Sequence, residues 1–121
     1  MTLRDLHVAG AWVVIVANGL AGAWALGAHW QARLRTRWLW GLTAAAEVGL
    51  FVQVGLGVAA MEADDLRPRE FHEFYGFVAL FTVAIVYAYR AQLRDRVHLL
   101  YGLGGLFLMG LGLRALYLGG A

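Results

Sequence analysis

Four histidines stand at the ends of four long apolar stretches, and their order along the chain sorts them into two facing pairs. In a chain that crosses a membrane back and forth, His7 opens the first stretch and His72 opens the third, so both reach one face. His29 closes the first stretch and His98 opens the fourth, so both reach the other. Two imidazoles at matched depth on different helices are what bis-histidine ligation of a haem iron needs. One ring nitrogen takes the metal while the other is oriented by an acceptor.

The His7–His72 pair has the richer surroundings. Residues three and four apart share a helix face, so Tyr75 and Gly76 lie below His72, and Gly10 and Ala11 lie below His7. Small residues under a ligand leave room for a flat macrocycle. Glu73 or a carboxylate of the neighbouring loop is available as the acceptor for the second ring nitrogen. At about 1.5 Å rise per residue, Gln53 lies about 22 Å and Arg114 about 24 Å along their spans, one or two turns below the same rim. An arginine at that depth is costly unless it has a partner inside the protein. A haem propionate is a better partner than Gln53, because guanidinium and carboxylate match in a bidentate way. His7, Gln53, His72 and Arg114, with Tyr75 and Gly76, are therefore expected to line one cofactor pocket holding haem b, with His7 and His72 on the iron. The plainer reading of the same residues is two interfacial histidines and an arginine that snorkels outward.

His29 and His98 form a second possible cofactor site, with Gly22, Ala25, Tyr101 and Gly102 on their helix faces. Solvated imidazoles at a membrane rim account for this pair equally well. Glu47 lies about 13 Å into its span, near the midplane, and Asn18 sits at similar depth in the first span. An intramembrane glutamate is a candidate for proton transfer or cation binding. A protonated glutamate hydrogen-bonded to Asn18, fixing the register of two helices, is the structural alternative.

These side chains need a scaffold, and composition dictates its kind. Of 121 residues, 61% are hydrophobic, with mean hydropathy +0.63. A soluble domain of this size could not hide that much apolar surface. Four stretches approach the roughly 20 apolar residues that cross a bilayer as a helix: Leu6–Ala28, Trp38–Met61, Phe71–Tyr89 and Val97–Leu118. The expected fold is all-α, an integral membrane antiparallel four-helix bundle forming a single domain over residues 1–121. The first stretch is longer than a signal-peptide core of roughly 7–15 residues, and its leading basic segment is Arg4 alone, so it is read as a retained span.

Absent residue types narrow the chemistry. There is no cysteine, serine or lysine, which removes disulfides, thiolate metal sites, serine nucleophiles and lysine-bearing phosphate loops. Charge is asymmetric: the loops after the first and third spans carry Arg33, Arg35, Arg37, Arg90, Arg94 and Arg96 against Asp95 alone. The opposite face carries Arg4, Arg67, Arg69 and Arg114 against Asp5, Glu62, Asp64, Asp65, Glu70 and Glu73. The positive-inside rule puts the arginine-rich loops in the cytoplasm and both termini outside, as in a bacterial cytoplasmic membrane. Such loops beside lipid headgroups determine topology, and no nucleic-acid partner is implied. Trp24, Trp30, Trp38, Trp40, Tyr87, Tyr89 and Tyr101 gather at that rim as an aromatic belt.

Asp64, Asp65 and Pro68 are expected to stop the second helix before the third begins. Glycines within the spans point to close helix packing, which in lipid relies on backbone approach. The run from Phe71 to Phe81 matches Val97 to Phe107 at its His, Tyr, Gly, Leu and Phe positions. That is consistent with a short internal repeat whose copies place histidines at opposite faces.

With Gln53, the Leu66–Gly76 segment ending in His72-Glu73-Phe74-Tyr75-Gly76, and Arg114-Ala115, the chain resembles a group of small, uncharacterised four-span bacterial membrane proteins. More distantly, its placement of histidines at the ends of alternate helices resembles the four-helix halves of heme A synthases and other membrane cytochromes b. That resemblance implies haem ligation by His7 and His72; those families usually set their ligands deeper in the span. Small multidrug transporters also have four spans in about this length, but carry their glutamate in the first span, where this chain has Asn18.

Three functions follow as expectations. The first is a b-type haem protein transferring electrons near the outer face, with quinol from the lipid as a possible donor. The second is a non-catalytic accessory or assembly subunit of a larger, respiratory-type membrane complex. The third is a small proton-coupled transporter built on Glu47.

Overall fold

A computed structural model describes residues 2–64 and 72–119. The chain forms four helices: α1 (Leu3–Trp30), α2 (Arg37–Asp64), α3 (His72–Tyr89) and α4 (Val97–Gly119). One-turn 3-10 segments, Ala32–Leu34 and Arg94–Arg96, join α1 to α2 and lead into α4. All four helices are long and apolar enough to cross a membrane, and the protein is a multi-pass, all-α membrane bundle. The acidic connection with Asp65 and Pro68 lies outside the described residues, as do Arg67, Arg69, Glu70 and Phe71.

Helix α1 outruns its apolar stretch because its ends are capped by polar groups. Thr2 Oγ1 accepts from the Asp5 amide at 3.1 Å, and the Thr2 amide donates to Asp5 Oδ2 at 3.0 Å. This reciprocal box satisfies two amides that the first turn leaves open and starts α1 ahead of Leu6. At the other end, Arg35 folds back over α1. Its Nε donates to Ala28 O at 2.7 Å and its Nη2 to His29 O at 2.9 Å, satisfying carbonyls of the last turn. Trp24 Nε1 donates to Leu34 O at 2.9 Å and closes the turn against α1. Arg35 and Trp24 thus do structural work beyond topology and the aromatic belt. Trp30, Trp38, Tyr87 and Tyr89 keep the exposed position expected of a belt.

The helices pack in the order α2, α1, α4, α3, with α1 against α4 as the most extensive contact and α2 against α3, which closes the ring, as the slightest contact between neighbours. Glycine makes the central contact possible. A Cβ on Gly22 would lie 2.6 Å from the Leu106 amide nitrogen, and one on Gly105 would lie 2.7 Å from Gly22 Cα. The two backbones therefore touch, which is the packing mode available where lipid removes the hydrophobic drive between helices. Met109 lies over Gly19 in the same seam. Leu50, Ala79, Val83, Leu108 and Leu111 form one core cluster; Ala25, Ala28 and Leu39 form another towards the arginine-rich end. Trp12, Val13, Val16, Leu20, Phe81, Ile85 and Phe107 are exposed on the outside of the bundle, as lipid-facing residues are.

Candidate functional site

Because α2 and α3 barely meet, a cavity of about 390 Å³ remains among all four helices at the end where α1 begins. Its walls include Val14, Ile15, Leu50, Val54, Leu108 and Leu111, while Arg4, His7, Gln53, His72, Glu73 and Tyr75 bring polar groups. It is an amphipathic pocket, the usual form of a site for a cofactor or small ligand.

His7 from α1 and His72 from α3 meet here, with ring centroids 5.9 Å apart and planes at 79°. His72 Nδ1 lies 2.6 Å from the backbone oxygen of Ala115 on α4. A carbonyl only accepts, so Nδ1 carries the proton of the neutral ring and Nε2 keeps its lone pair. His7 Nδ1 lies 3.0 Å from the backbone oxygen of Gln53 and 3.0 Å from Gln53 Nε2. Gln53 Nε2 also donates to the backbone oxygen of His7. With Nδ1 donating to the Gln53 carbonyl, His7 presents Nε2 in the same way as His72.

Sequence reasoning missed these acceptors, having looked to Glu73 and the loop carboxylates. Each is a main-chain carbonyl, and each has glycine four residues later: Gly57 after Gln53 and Gly119 after Ala115. A helical side chain covers the turn before its own Cα, so glycine at that position uncovers the carbonyl. At Gly57 the space is taken by the imidazole: a Cβ there would lie 2.9 Å from His7 Cε1. Helical carbonyls followed by glycine four places on were the available signal.

Of the pocket residues expected from the sequence, His7, Gln53, His72, Tyr75 and Gly76 line the cavity, whereas Arg114 does not. Arg114 is exposed, and its guanidinium carbon lies 5.7 Å from the Tyr117 ring centroid. The reason is rotation: α4 turns Leu111, Gly112 and Ala115 to the cavity, and one residue is about 100° of helix at 3.6 residues per turn. Among the described residues, Arg4 is the arginine that lines the cavity. Gly10 also serves otherwise than expected. A Cβ there would lie 2.5 Å from Gln53 Oε1, so its space houses the glutamine amide, while Ala11 and Gly76 line the pocket.

At the arginine-rich end, His29 and His98 do not stack on each other. His29 packs on Trp30 at 4.8 Å and His98 on Trp40 at 5.3 Å. His98 Nε2 is shut away from solvent with no hydrogen-bond partner. The two copies of the sequence repeat are used differently. Gly76 has open space beside it, whereas Gly102 is pressed against the backbone of Leu26.

The expected Glu47–Asn18 hydrogen bond is not formed. Asn18 Nδ2 donates instead to Val14 O at 2.9 Å on its own helix and to Ala46 O at 3.4 Å on α2. Asn18 still joins α1 to α2, but through the main chain, because Ala46 faces α1 and Glu47 is turned about 100° further round.

No protein-family model, curated protein or solved structure matches this chain.

Proposed function

We propose that this multi-pass membrane protein is a b-type haem protein, with His7 and His72 as the two axial ligands. The observation that supports this most is the Nδ1 bond of His72 to Ala115 O, facing a second imidazole whose Nδ1 also reaches a main-chain carbonyl. Ligating histidines characteristically use their second nitrogen in this way, which fixes ring orientation and raises ligand basicity. The spacing fits as well. With metal–imidazole bonds of about 2 Å, two rings sharing one metal have centroids about 6 Å apart, against 5.9 Å here.

Haem bound between these rings supplies one-electron chemistry. The remaining work belongs to the chain. Val14, Ile15, Leu50, Leu108 and Leu111 exclude water and surround a macrocycle with apolar contacts, and Tyr75 and Gly76 lie one turn below His72 along α3. Arg4, on the cavity wall, takes the propionate-binding role that the sequence suggested for Arg114, since guanidinium pairs with carboxylate. The loops with Arg33, Arg35, Arg37, Arg90, Arg94 and Arg96 face the cytoplasm of a bacterial cell, so the cavity lies towards the outer face. Electron transfer there is the task, with a quinol reaching the site from lipid through the weakly closed α2–α3 side.

Purification in detergent, haem supplementation and reduced-minus-oxidised absorption spectra test this reading. The expected result is a Soret band and a sharp α band, both lost in His72→Ala. Their absence from the supplemented wild-type protein overturns it.

A further inference from the structure

The arginine-rich half of the bundle holds polar groups that the cavity does not use. Trp40, Thr43 and Glu47 follow one another at three- and four-residue steps on α2, which puts them along one face. His98 and Tyr101 are one turn apart on α4. The Trp40 ring links the two helices, 5.3 Å from the His98 ring and 5.1 Å from the Tyr101 ring, and Glu47 lies two turns beyond Trp40 on the same face of α2. Both α2 and α4 begin at the arginine-rich end, and helical side chains lean towards the helix start. Glu47 therefore leans from near mid-span towards Tyr101 and His98.

This cluster is short of partners. Thr43 is 8% exposed, and its Oγ1 is buried with no hydrogen-bond partner. His98 Nε2 is in the same condition. Among the described residues, Glu47 makes no hydrogen bond or ion pair. Buried polar groups are normally satisfied, and water is the usual partner where protein supplies none. An ionisable side chain inside a span marks a proton or ion path by default. The titratable and charged groups around the cluster are Tyr87 and Arg90 beside Tyr101, and His29 and Arg35 beside His98. From α1 come His29 and, deeper in the span, the neutral Asn18 amide, which is bonded to main chain.

We infer that Glu47 is a proton-uptake site, loaded from the arginine-rich face through His98, Tyr101 and a short file of water. His98 takes up a proton from the arginine-rich face at Nδ1 and releases the proton on its buried Nε2 to water. Water protonates the Tyr101 oxygen as that hydroxyl releases its own proton towards Glu47. The net change is one proton gained by the carboxylate, with His98 and Tyr101 left neutral. The path stops at Glu47, because Leu50, Val83 and Leu108 form a dry core beyond it, and it operates whether or not His7 and His72 hold haem.

Two measurements on the full chain in oriented vesicles test this. A lipid-soluble carbodiimide attacks a protonated carboxyl, so labelling of Glu47, read by mass spectrometry against Glu47→Gln, reports its protonation. Labelling is expected to rise when the arginine-rich side is acidified and to ignore the other side. After a rapid acid jump, the infrared band of the protonated Glu47 carboxyl is expected to rise at least tenfold more slowly in Tyr101→Phe and His98→Gln. Labelling that follows the opposite side, or neither side, overturns the inference. So do wild-type rates in both variants.

Discussion

The His72 imidazole hangs from α3 yet is held by α4, through a 2.6 Å contact between its Nδ1 and the carbonyl oxygen of Ala115. That bond settles which nitrogen of the ring remains for chemistry, and it makes the ring's orientation a property of how two helices pack. His7 is set in the corresponding way against the main chain of α2. Each imidazole is thus carried by one helix and aimed by another.

The ligand variants follow directly. His72→Ala removes one ring and leaves the Ala115 carbonyl facing the cavity, and haem binding in detergent is expected to be lost. His7→Ala leaves His72 correctly aimed, so weakened binding with a five-coordinate, high-spin spectrum is expected. Absorption titrations with haem distinguish the two outcomes, and a low-spin spectrum retained by both variants contradicts the assignment.

The arginines separate by position. Arg4 lines the cavity and Arg114 is turned outward. A hydrogen bond to a charged group contributes about 1.5–3 kcal/mol, so Arg4→Gln is expected to raise the haem dissociation constant about tenfold or more. Arg114→Gln touches nothing in the pocket and is expected to leave the haem dissociation constant unchanged. Haem titration of the two variants side by side checks the ranking.

The α1–α4 contact leaves no room for a side chain. A Cβ on Gly22 meets main-chain atoms of α4 at 2.6 Å and 2.9 Å, and main chain cannot step aside as a flexible side chain can. Gly22→Val is expected to force the helices apart at a cost of about 1–3 kcal/mol, the range for overpacking. Thermal unfolding in detergent measures it. Gly110→Val is the control, since nothing lies within 4 Å of a Cβ there.

Spans and charge asymmetry were legible in the sequence because both depend on composition over long windows. The membrane fold follows from them. Helix rotation was not legible, because spans that are apolar on every side carry no amphipathic stripe to fix it. Counting residues along a helix sets a depth but not a direction, and of Gln53 and Arg114 only Gln53 faces the cavity. The same limit explains Asn18, whose partner is the Ala46 carbonyl rather than the adjacent Glu47 side chain. Main-chain acceptors escape a search for side-chain partners, which is how the carbonyls of Gln53 and Ala115 were missed.

Gly57 and Gly55 offer the sharpest separation between a packing effect and a site effect. Replacing glycine by alanine inside a helix gains about 1 kcal/mol of intrinsic propensity, and both positions lie within α2. At Gly55 a Cβ meets nothing within 4 Å, whereas at Gly57 it lies 2.9 Å from His7 Cε1 and 3.3 Å from Nδ1. Gly55→Ala is therefore expected to raise the unfolding temperature slightly and leave haem affinity unchanged. Gly57→Ala gains the same propensity but pushes the His7 ring off the Gln53 carbonyl and away from its 5.9 Å spacing to His72. The expected result is a fold no less stable than wild type with haem binding weakened about tenfold, read by thermal unfolding and haem titration on the same samples. Equal affinities in the two variants would mean that the placement of His7 does not govern the site.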